Sequence, residues 1–189
     1  MKPLFPLFLD LEGKRVLVVG AGSVGARKID ELVAAKAIVR VVSLHALESV
    51  IDRARSGAIE IERRAFAETD VDGAWLVIAA TNDPKVNGAI ARACEARRVF
   101  VNAVDDPARS SAIFASIVRR APFTIAISSS GELPALSKLL RTVIEAVLPE
   151  ERWIDAARAL RVKWKKDQTP MKDRFAELVR AIAGELPRA

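Results

Sequence analysis

The chain has 189 residues, of which 51% are hydrophobic, so it can bury a core of ordinary size and lacks the composition of a disordered protein. Its formal net charge of +6 favours an anionic partner, but only 5% of residues are aromatic and none is tyrosine, which disfavours a stacking surface for single-stranded nucleic acid. Cys94 is the only cysteine, which excludes an internal disulfide and a cysteine-based zinc site and indicates a cytoplasmic protein.

No segment is predicted to enter a membrane. The longest apolar runs, such as 74–80, are far shorter than the roughly 20 residues that a transmembrane helix needs. The apolar opening segment is interrupted by Pro3, Pro6 and Asp10 and has no small-residue cleavage site, so we do not expect a signal peptide.

Up to residue 104, short apolar runs alternate with amphipathic stretches. The apolar runs predict parallel strands at Arg15–Gly20, Ile38–Ser43, Ile59–Arg63, Trp75–Ala80 and Val99–Val104. The amphipathic stretches predict helices at Ser23–Ala35, 46–55 and Pro84–Arg97. Cys94 falls on the apolar face of the last helix, so we expect it in the core. This alternation is typical of a doubly wound parallel sheet, the Rossmann-type α/β fold.

The pattern changes after residue 112. Two further strands are predicted at Ile113–Val118 and Phe123–Ser128, joined by a turn at 119–122. Pro134–Leu148 is predicted to be a helix with one apolar face. Two more helices are predicted beyond Pro149, the second of them starting at Thr169–Pro170.

A glycine loop joins the first predicted strand to the first predicted helix. It has the spacing G-x-G-x-x-G: Gly20 for the tight turn, Gly22 for close approach of a pyrophosphate, and Gly25 for close packing of helix on strand. Ser23 and Val24, between the last two glycines, open the helix and offer free N–H groups to an anion. The alternative is an ordinary strand-to-helix turn.

The segment Ser43-Leu44-His45 follows the second predicted strand, where dinucleotide sites commonly carry an acidic residue for the ribose hydroxyls. We expect these three residues to contact the cofactor instead. Arg40 suggests a 2′-phosphate, but we place it inside the strand, so NAD is predicted over NADP. His45 is the only histidine, and it is either near the adenosine or simply solvated.

Polar residues follow the next two predicted strands. Ligands sit beyond the carboxyl ends of parallel strands, so Thr81 and Asn82 are candidates for contact with the nicotinamide half of the cofactor. Asp105 is a candidate for proton transfer. Asp106 precedes a proline, and its expected role is turn formation.

A serine-rich turn precedes the helix that begins at Pro134. Ser128, Ser129, Ser130 and Gly131 combine hydroxyl groups with a helix N-terminus and could receive a substrate carboxylate. A simple capped helix start is the equally good alternative.

Together these motifs resemble the precorrin-2 dehydrogenase/sirohydrochlorin ferrochelatase family of siroheme synthesis. The segments that carry the resemblance are FPLFLDLEGKRVLVVGAGSVGARK, WLVIAATNDPKVN, VFVNAVDDP and ISSSGELPALSKLLR. They keep the family's order and spacing over roughly residues 3–150, and as a set they are far more specific than the glycine loop alone.

The resemblance implies NAD-dependent oxidation of precorrin-2 to sirohydrochlorin, with Asp105 as the essential aspartate and general base and Ser129 as a substrate-side serine. It further implies a homodimer with a Rossmann domain at 1–112, a small α+β dimerisation and substrate region at 113–148, and a C-terminal helical domain at 149–189. Some members also insert Fe²⁺, for which Asp105 would be a transient contact. No permanent metal site is expected.

The carboxylate arms of such a substrate suit basic residues, because the planar fork of arginine matches a carboxylate. Five basic residues fall near the proposed cleft: Arg109, Arg119, Arg120, Lys138 and Arg141. We expect only one or two to be contacts and favour Arg109 and Lys138. The basic residues are scattered and form no known reading motif, so a nucleic-acid partner is not expected.

Two other functions compete with the simple dehydrogenase. The first is a bifunctional enzyme that also inserts Fe²⁺ into sirohydrochlorin at the same cleft. The second is a regulatory domain that senses NAD without chemistry, which would share the glycine loop but leave Asp105 and the serine turn unexplained.

Overall fold

The computed structural model of the chain describes residues 4–148 and 151–182. Its elements in chain order are β1 (Arg15–Ala21), α1 (Ser23–Ala34), β2 (Ile38–Ala46), α2 (Glu48–Arg55), β3 (Glu60–Glu62), a 3₁₀ turn (Glu68–Val71), β4 (Leu76–Ala79), α3 (Pro84–Arg97), β5 (Phe100–Ala103), β6 (Ser116–Arg120), β7 (Phe123–Ile127), α4 (Pro134–Val147), α5 (Glu151–Lys166) and α6 (Met171–Ile182). These elements form two compact units. The first contains the described residues through Ala115 together with Ser128–Pro134, and the second contains Ser116–Ile127 and the described residues from Ala135 onward.

The first unit is built on one parallel sheet with the strand order β3-β2-β1-β4-β5. The order reverses beside β1, which is the switch point where doubly wound sheets bind their ligands. This confirms the predicted Rossmann-type fold. β2 continues to Ala46 instead of ending at Ser43, because Ala46 pairs with Ala21 beyond an irregularity in β1.

The sheet is buried on both faces. Alternate residues of the strands point to opposite faces, so each face has its own apolar cluster. One cluster joins Val16, Val18, Val39, Val41 and Ile78 to Ile29 and Leu32 of α1 and Val50 of α2. The other joins Leu17, Val19, Val77 and Val101 to Ile90, Ala93 and Cys94 of α3. Cys94 is fully buried as predicted, and burial raises the pKa of its thiol to about 11.

The second unit contains the antiparallel β6–β7 hairpin and the helices α4, α5 and α6. The predicted strand at Ile113–Val118 is wrong at its start, because Ala112 still bonds to Val101 at the edge of β5 and the next three residues carry no strand pairing. Arg119 and Arg120 belong to β6 rather than to the turn, since Arg120 pairs directly with Phe123. No helix among residues 4–148 and 151–182 is long and apolar enough to cross a membrane.

An ion cluster fastens β2 and β3 to the 3₁₀ turn. Asp70 is only 5% exposed and accepts hydrogen bonds from Arg40 at 2.5 Å, from Arg64 at 2.6 and 2.8 Å, and from the Ala67 amide at 2.8 Å. Arg40 also bonds to Glu62. It therefore lies inside the strand as predicted and is occupied by carboxylates. The Arg64 hydrogen bonds and charge lower the pKa of Asp70 to about 2.

Replacing Asp70 by asparagine tests this cluster. The folded-state pKa lies below the ordinary value, so the carboxylate stabilises the fold above about pH 4 and this contribution is lost as the pH falls towards 2. We expect Asp70→Asn to lower the free energy of unfolding by about 2 kcal/mol at pH 7 in urea titrations. The difference from the wild type should shrink between about pH 5 and pH 2.

Asp72→Asn is the matched control, because the Asp72 carboxylate pairs with Arg97 but is 60% exposed. Exposed pairs contribute little, so this variant should lose no more than about 0.5 kcal/mol. Equal losses in the two variants at pH 7 would contradict the role assigned to Asp70.

Candidate functional site

Two of the loop glycines are required by the packing of the chain on itself. Gly20 has φ +103°, and a Cβ there would lie 2.3 Å from the Ala80 carbonyl oxygen of the neighbouring strand connection. A Cβ at Gly25 would lie 2.1 Å from the Gly20 carbonyl oxygen. The backbone of the loop therefore packs directly against the end of β4 and the first turn of α1.

Gly22 is different, because none of the described residues requires a glycine there. Its φ is −78°, which any residue adopts, and apart from the adjoining backbone no described atom lies within 4 Å of the position a Cβ would take. As the N-cap residue of α1 it provides no side-chain cap, so the N–H groups of Ser23, Val24 and Gly25 are left for another acceptor. This open, uncapped helix end fits the pyrophosphate of a dinucleotide.

The end of β2 closes the other side of the loop. The Ser43 hydroxyl accepts from the Ala21 amide at 3.2 Å and donates to the His45 carbonyl at 2.6 Å. Its single proton is thus used inside the protein, and the hydroxyl holds the glycine loop against β2. Leu44 and His45 are exposed. In the described part of the chain, no three His, Cys, Asp or Glu side chains are grouped so that they could hold a metal ion.

Thr81 is held by a residue that sequence reasoning missed. Asn87, 8% exposed in α3, accepts from the Thr81 hydroxyl at 2.7 Å and donates its amide to the Thr81 carbonyl at 3.0 Å. Asp83 caps α3 by accepting from Lys85 N at 2.8 Å, as an Asn-Asp-Pro helix start predicts. Asn82, between them, is exposed. The Thr81 hydroxyl therefore shapes the turn, and Asn82 presents its amide to solvent.

Asp105 lies in a tight turn at the end of β5. The turn closes with a 3.1 Å hydrogen bond from Asp106 N to the Ala103 carbonyl, and Val104 N donates to Ala79 of β4 at 2.9 Å. Asp105 has φ +59°, at a turn position that favours glycine or asparagine. Its carboxylate makes no hydrogen bond or ion pair with any residue the structure describes. A free carboxylate held in a disfavoured backbone conformation points to a functional residue.

Asp106, which closes this turn, is paired with Arg109. Asp106 accepts from the Arg109 amide at 3.2 Å and from its guanidinium at 2.6 Å, which is the turn-forming role predicted for it. Arg109 remains 52% exposed at its side chain. A substrate carboxylate would therefore share Arg109 with Asp106.

The serine turn lies against the Asp105 turn. A Cβ at Gly131, which has φ +86°, would lie 3.2 Å from the Pro107 ring, so the two segments are in contact although they are distant in sequence. The Ser128 hydroxyl accepts from Ser130 N and the Ser129 hydroxyl from Leu133 N, each at 3.1 Å. Both bonds lie within the turn that precedes α4, and Ser130 has φ +54°.

The other basic candidates lie in the second unit. Arg120 donates to the carbonyls of Leu148 and Glu145 at 3.0 and 3.1 Å and so caps the end of α4. Arg141 approaches Glu145 at 3.6 Å along the same helix. Lys138 and Arg119 make no ion pair among the described residues. Arg120 is thus occupied, while Lys138 stays available.

The glycine loop, its open N-cap and the parallel sheet around them are the features of a dinucleotide-binding domain. Residues 7–116 match the model of a family described as NAD(P)-binding. The match covers more than half of the chain, and the chain belongs to this NAD(P)-binding family.

Curated relatives share more specific names. The chain is 43% identical over 145 residues to "Siroheme synthase 1" of Serratia proteamaculans, covering 76% of this chain and 30% of that protein. It is 39% identical over 181 residues to "Siroheme synthase 1" of Pectobacterium atrosepticum, covering 91% of this chain and 37% of that protein. The chain thus spans about a third of the length of these relatives.

A solved structure has the same fold. "SirC, precorrin-2 dehydrogenase" superimposes with a TM-score of 0.75 over 95% of this chain and 89% of that chain, at 22% sequence identity. At this identity the likeness establishes the shared architecture of the two proteins.

Replacing Gly22 and Gly20 by alanine is expected to have different effects. Gly22→Ala should leave the melting temperature nearly unchanged, because its Cβ enters open space, and weaken NAD binding by about tenfold or more in calorimetric titrations. Gly20→Ala should instead cost about 2 kcal/mol or more of folding stability, because of its left-handed φ and its contact with Ala80. Normal NAD binding by Gly22→Ala would contradict this position for the pyrophosphate.

Proposed function

We propose that the chain oxidises precorrin-2 to sirohydrochlorin with NAD as the oxidant, with Asp105 as the general base. The names of the curated relatives and of the structural neighbour support this reaction. The observation that carries it is the Asp105 turn, which presents a free carboxylate at the carboxyl end of β5, beside the strand that contacts the glycine loop.

The loop geometry supports a position for the cofactor. The first N–H groups of α1, beyond Gly22, would hold the pyrophosphate, and Leu44 and His45 would contact the adenosine ribose. Asn82 and the Asp105 turn would face the nicotinamide half. Arg40, which could otherwise hold a 2′-phosphate, is bound to Glu62 and Asp70, and this favours NAD over NADP.

The chain's own residues then handle the proton. NAD, when bound, accepts a hydride from a saturated carbon of the macrocycle. The same oxidation releases one proton from the substrate, and the Asp105 carboxylate receives it and passes it to solvent. One hydride and one proton leave the substrate, so the conversion of precorrin-2 to sirohydrochlorin balances.

The substrate's carboxylate arms need positive partners. Arg109, half exposed and three residues from Asp106, is placed to hold one arm beside the general base. The serine turn, including Ser129, is assigned to a further arm. The buried single cysteine supports a reducing compartment such as the cytoplasm.

Asp105→Asn is the sharpest variant for the base. Asparagine tolerates the left-handed backbone and keeps the size of the side chain, but it cannot take up the proton. We expect NAD affinity and melting temperature to stay as in the wild type while precorrin-2 oxidation, followed by NADH absorbance, falls by about 100-fold or more.

Asp106→Asn is the control for Asp105→Asn, because its side-chain oxygen can still accept from the Arg109 amide and hold the turn. It should lose far less activity. Wild-type turnover by Asp105→Asn would rule out Asp105 as the base.

Insertion of Fe²⁺ is a second candidate activity for the same cleft. It is favoured by the siroheme synthase names of the relatives and by the carboxylate of Asp105, which could remove pyrrole protons or meet the metal. Sirohydrochlorin and Fe²⁺ are incubated with the protein without NAD. Siroheme formation faster than the background without protein, and lost in Asp105→Asn, would establish Fe²⁺ insertion. Siroheme formation at the background rate would leave dehydrogenation as the single proposed activity.

We further propose that the chain is a homodimer that uses the apolar face of α4. Leu136, Leu139, Leu140, Val143 and Val147 are between 42% and 64% exposed on this one helix, and Ser137 is the only residue of α4 that is buried. A contiguous apolar face of this kind marks an interaction surface. A second copy of the chain is the partner implied by the family resemblance.

The dimer proposal is tested by placing a charge on that face. Leu139 is 58% exposed, so Leu139→Glu should leave the fold of one chain intact while it disrupts a dimer. We expect light scattering after gel filtration to give twice the 20.5 kDa chain mass for the wild type and the single mass for the variant. Lys138→Glu, on the polar side of the helix, should remain dimeric. A monomeric wild type would exclude the proposal.

A further inference from the structure

The segment after the Asp105 turn runs back along β5 and covers its free edge. Ser111 N and Ala112 N both donate to the Val101 carbonyl, at 2.9 and 3.0 Å. Two serine hydroxyls complete the pairing: Ser111 accepts from Val101 N at 2.9 Å, and Ser110 accepts from Ala103 N at 2.9 Å. The edge of the sheet is thus satisfied by side chains as well as by backbone.

Both hydroxyls accept a hydrogen bond from a β5 amide, but only the Ser110 hydroxyl also bonds to the Asp105 turn. Ser110 is 7% exposed, and its hydroxyl lies 3.1 Å from the Ala103 carbonyl and 3.0 Å from the Asp106 carbonyl. A hydroxyl has one proton, so it donates to one of these carbonyls at a time. In either case Ser110 joins the two residues whose backbones open and close the turn that carries Asp105. The Ser111 hydroxyl bonds to Val101, before the turn begins.

The Asp105 turn needs such a constraint. Asp105 has φ +59°, a conformation that costs a non-glycine residue about 1 kcal/mol or more and persists only where the surroundings impose it. Val104 N is held by β4 and Asp106 N by Ala103. The Ser110 hydroxyl adds a third, buried constraint on the same loop, from the side away from β4.

We propose that Ser110 is a positioning residue for the reaction: its buried hydroxyl clamps Ala103 to Asp106 and thereby holds the Asp105 carboxylate in its left-handed turn beside the cofactor. The inference rests on the proposed function of Asp105. Displacing a catalytic group by as little as about 1 Å can cost about 100-fold in rate, so a small relaxation of the turn is sufficient to be measured.

The test compares Ser110→Ala with Ser111→Ala in the full-length chain. Each variant removes one serine hydroxyl that accepts a β5 amide at 2.9 Å, but only the first also frees the Asp105 turn. We expect Ser110→Ala to lower kcat for precorrin-2 oxidation by about tenfold to 100-fold with KM for NAD unchanged. Ser111→Ala should stay within about twofold of wild-type kcat. Ser110→Thr, which keeps a hydroxyl, should recover most of the rate.

A double variant tests whether Ser110 acts through Asp105. In an Asp105→Asn background, Ser110→Ala should cause no further loss of rate, because the group it positions is already gone. An additive loss there, or equal losses in the two serine variants, would show a merely structural role and overturn the inference. If Ser110→Ala does not fold, Ser110→Cys, with its weaker donor and acceptor, takes its place.

Hydrogen exchange separates this inference from the proposed function. Amide exchange in residues 104–109 should rise in Ser110→Ala and not in Ser111→Ala, whatever reaction the chain catalyses. A wild type without precorrin-2 oxidation would overturn the proposed function, and the exchange result would then still decide whether Ser110 clamps the turn. Unchanged exchange in Ser110→Ala would overturn the clamp even in an active enzyme.

Discussion

The contact between the Gly20 loop and the end of β4 is the constraint on which the rest of the site depends. Neither Gly20 nor Gly25 could carry a Cβ without overlapping a backbone carbonyl, so β1, β4 and the first turn of α1 meet at main-chain distance. Gly22, by contrast, is exposed and is the N-cap residue of α1, whose N-terminus has no side-chain cap. The proposed anion site is therefore a consequence of close packing among the three elements around it.

The same contact connects the cofactor position to Asp105. Ala80 touches the Gly20 loop, Ala79 accepts from Val104, and Asp105 follows directly on β5. Main-chain contacts thus connect the glycine loop, through the end of β4, to the turn that carries Asp105. The Asp105 turn is fixed by backbone bonds and by the Ser110 hydroxyl, while the Asp105 side chain has no bonding partner among the residues that the structure describes. A supported backbone and an unpaired side chain suit the role of proton acceptor that we propose for Asp105.

The sheet, its helices and the buried position of Cys94 could be predicted from the sequence, because apolar periodicity and glycine spacing are local signals. The roles of Asn87, Ser110 and Ser111 could not, because their partners are set by which segments the fold brings together. The two adjacent serines at 110 and 111, directly after a predicted turn, are the sequence signal that could have indicated hydroxyl groups bonded to the edge of β5. The sequence predicts Asp105 as a candidate for proton transfer. Its left-handed backbone and the contact of the neighbouring Pro107 with the serine turn depend on tertiary structure, which the sequence pattern does not reveal.

The most direct test of the proposed reaction is turnover of precorrin-2 by the wild-type chain with NAD, in which NADH and sirohydrochlorin are recorded together from their absorbance spectra. We predict that both products form at the same rate and in equal amounts, because each substrate molecule gives up one hydride. NAD binding with no sirohydrochlorin formed above the rate without enzyme would contradict the reaction, and the chain would then be a nucleotide-binding domain without this chemistry.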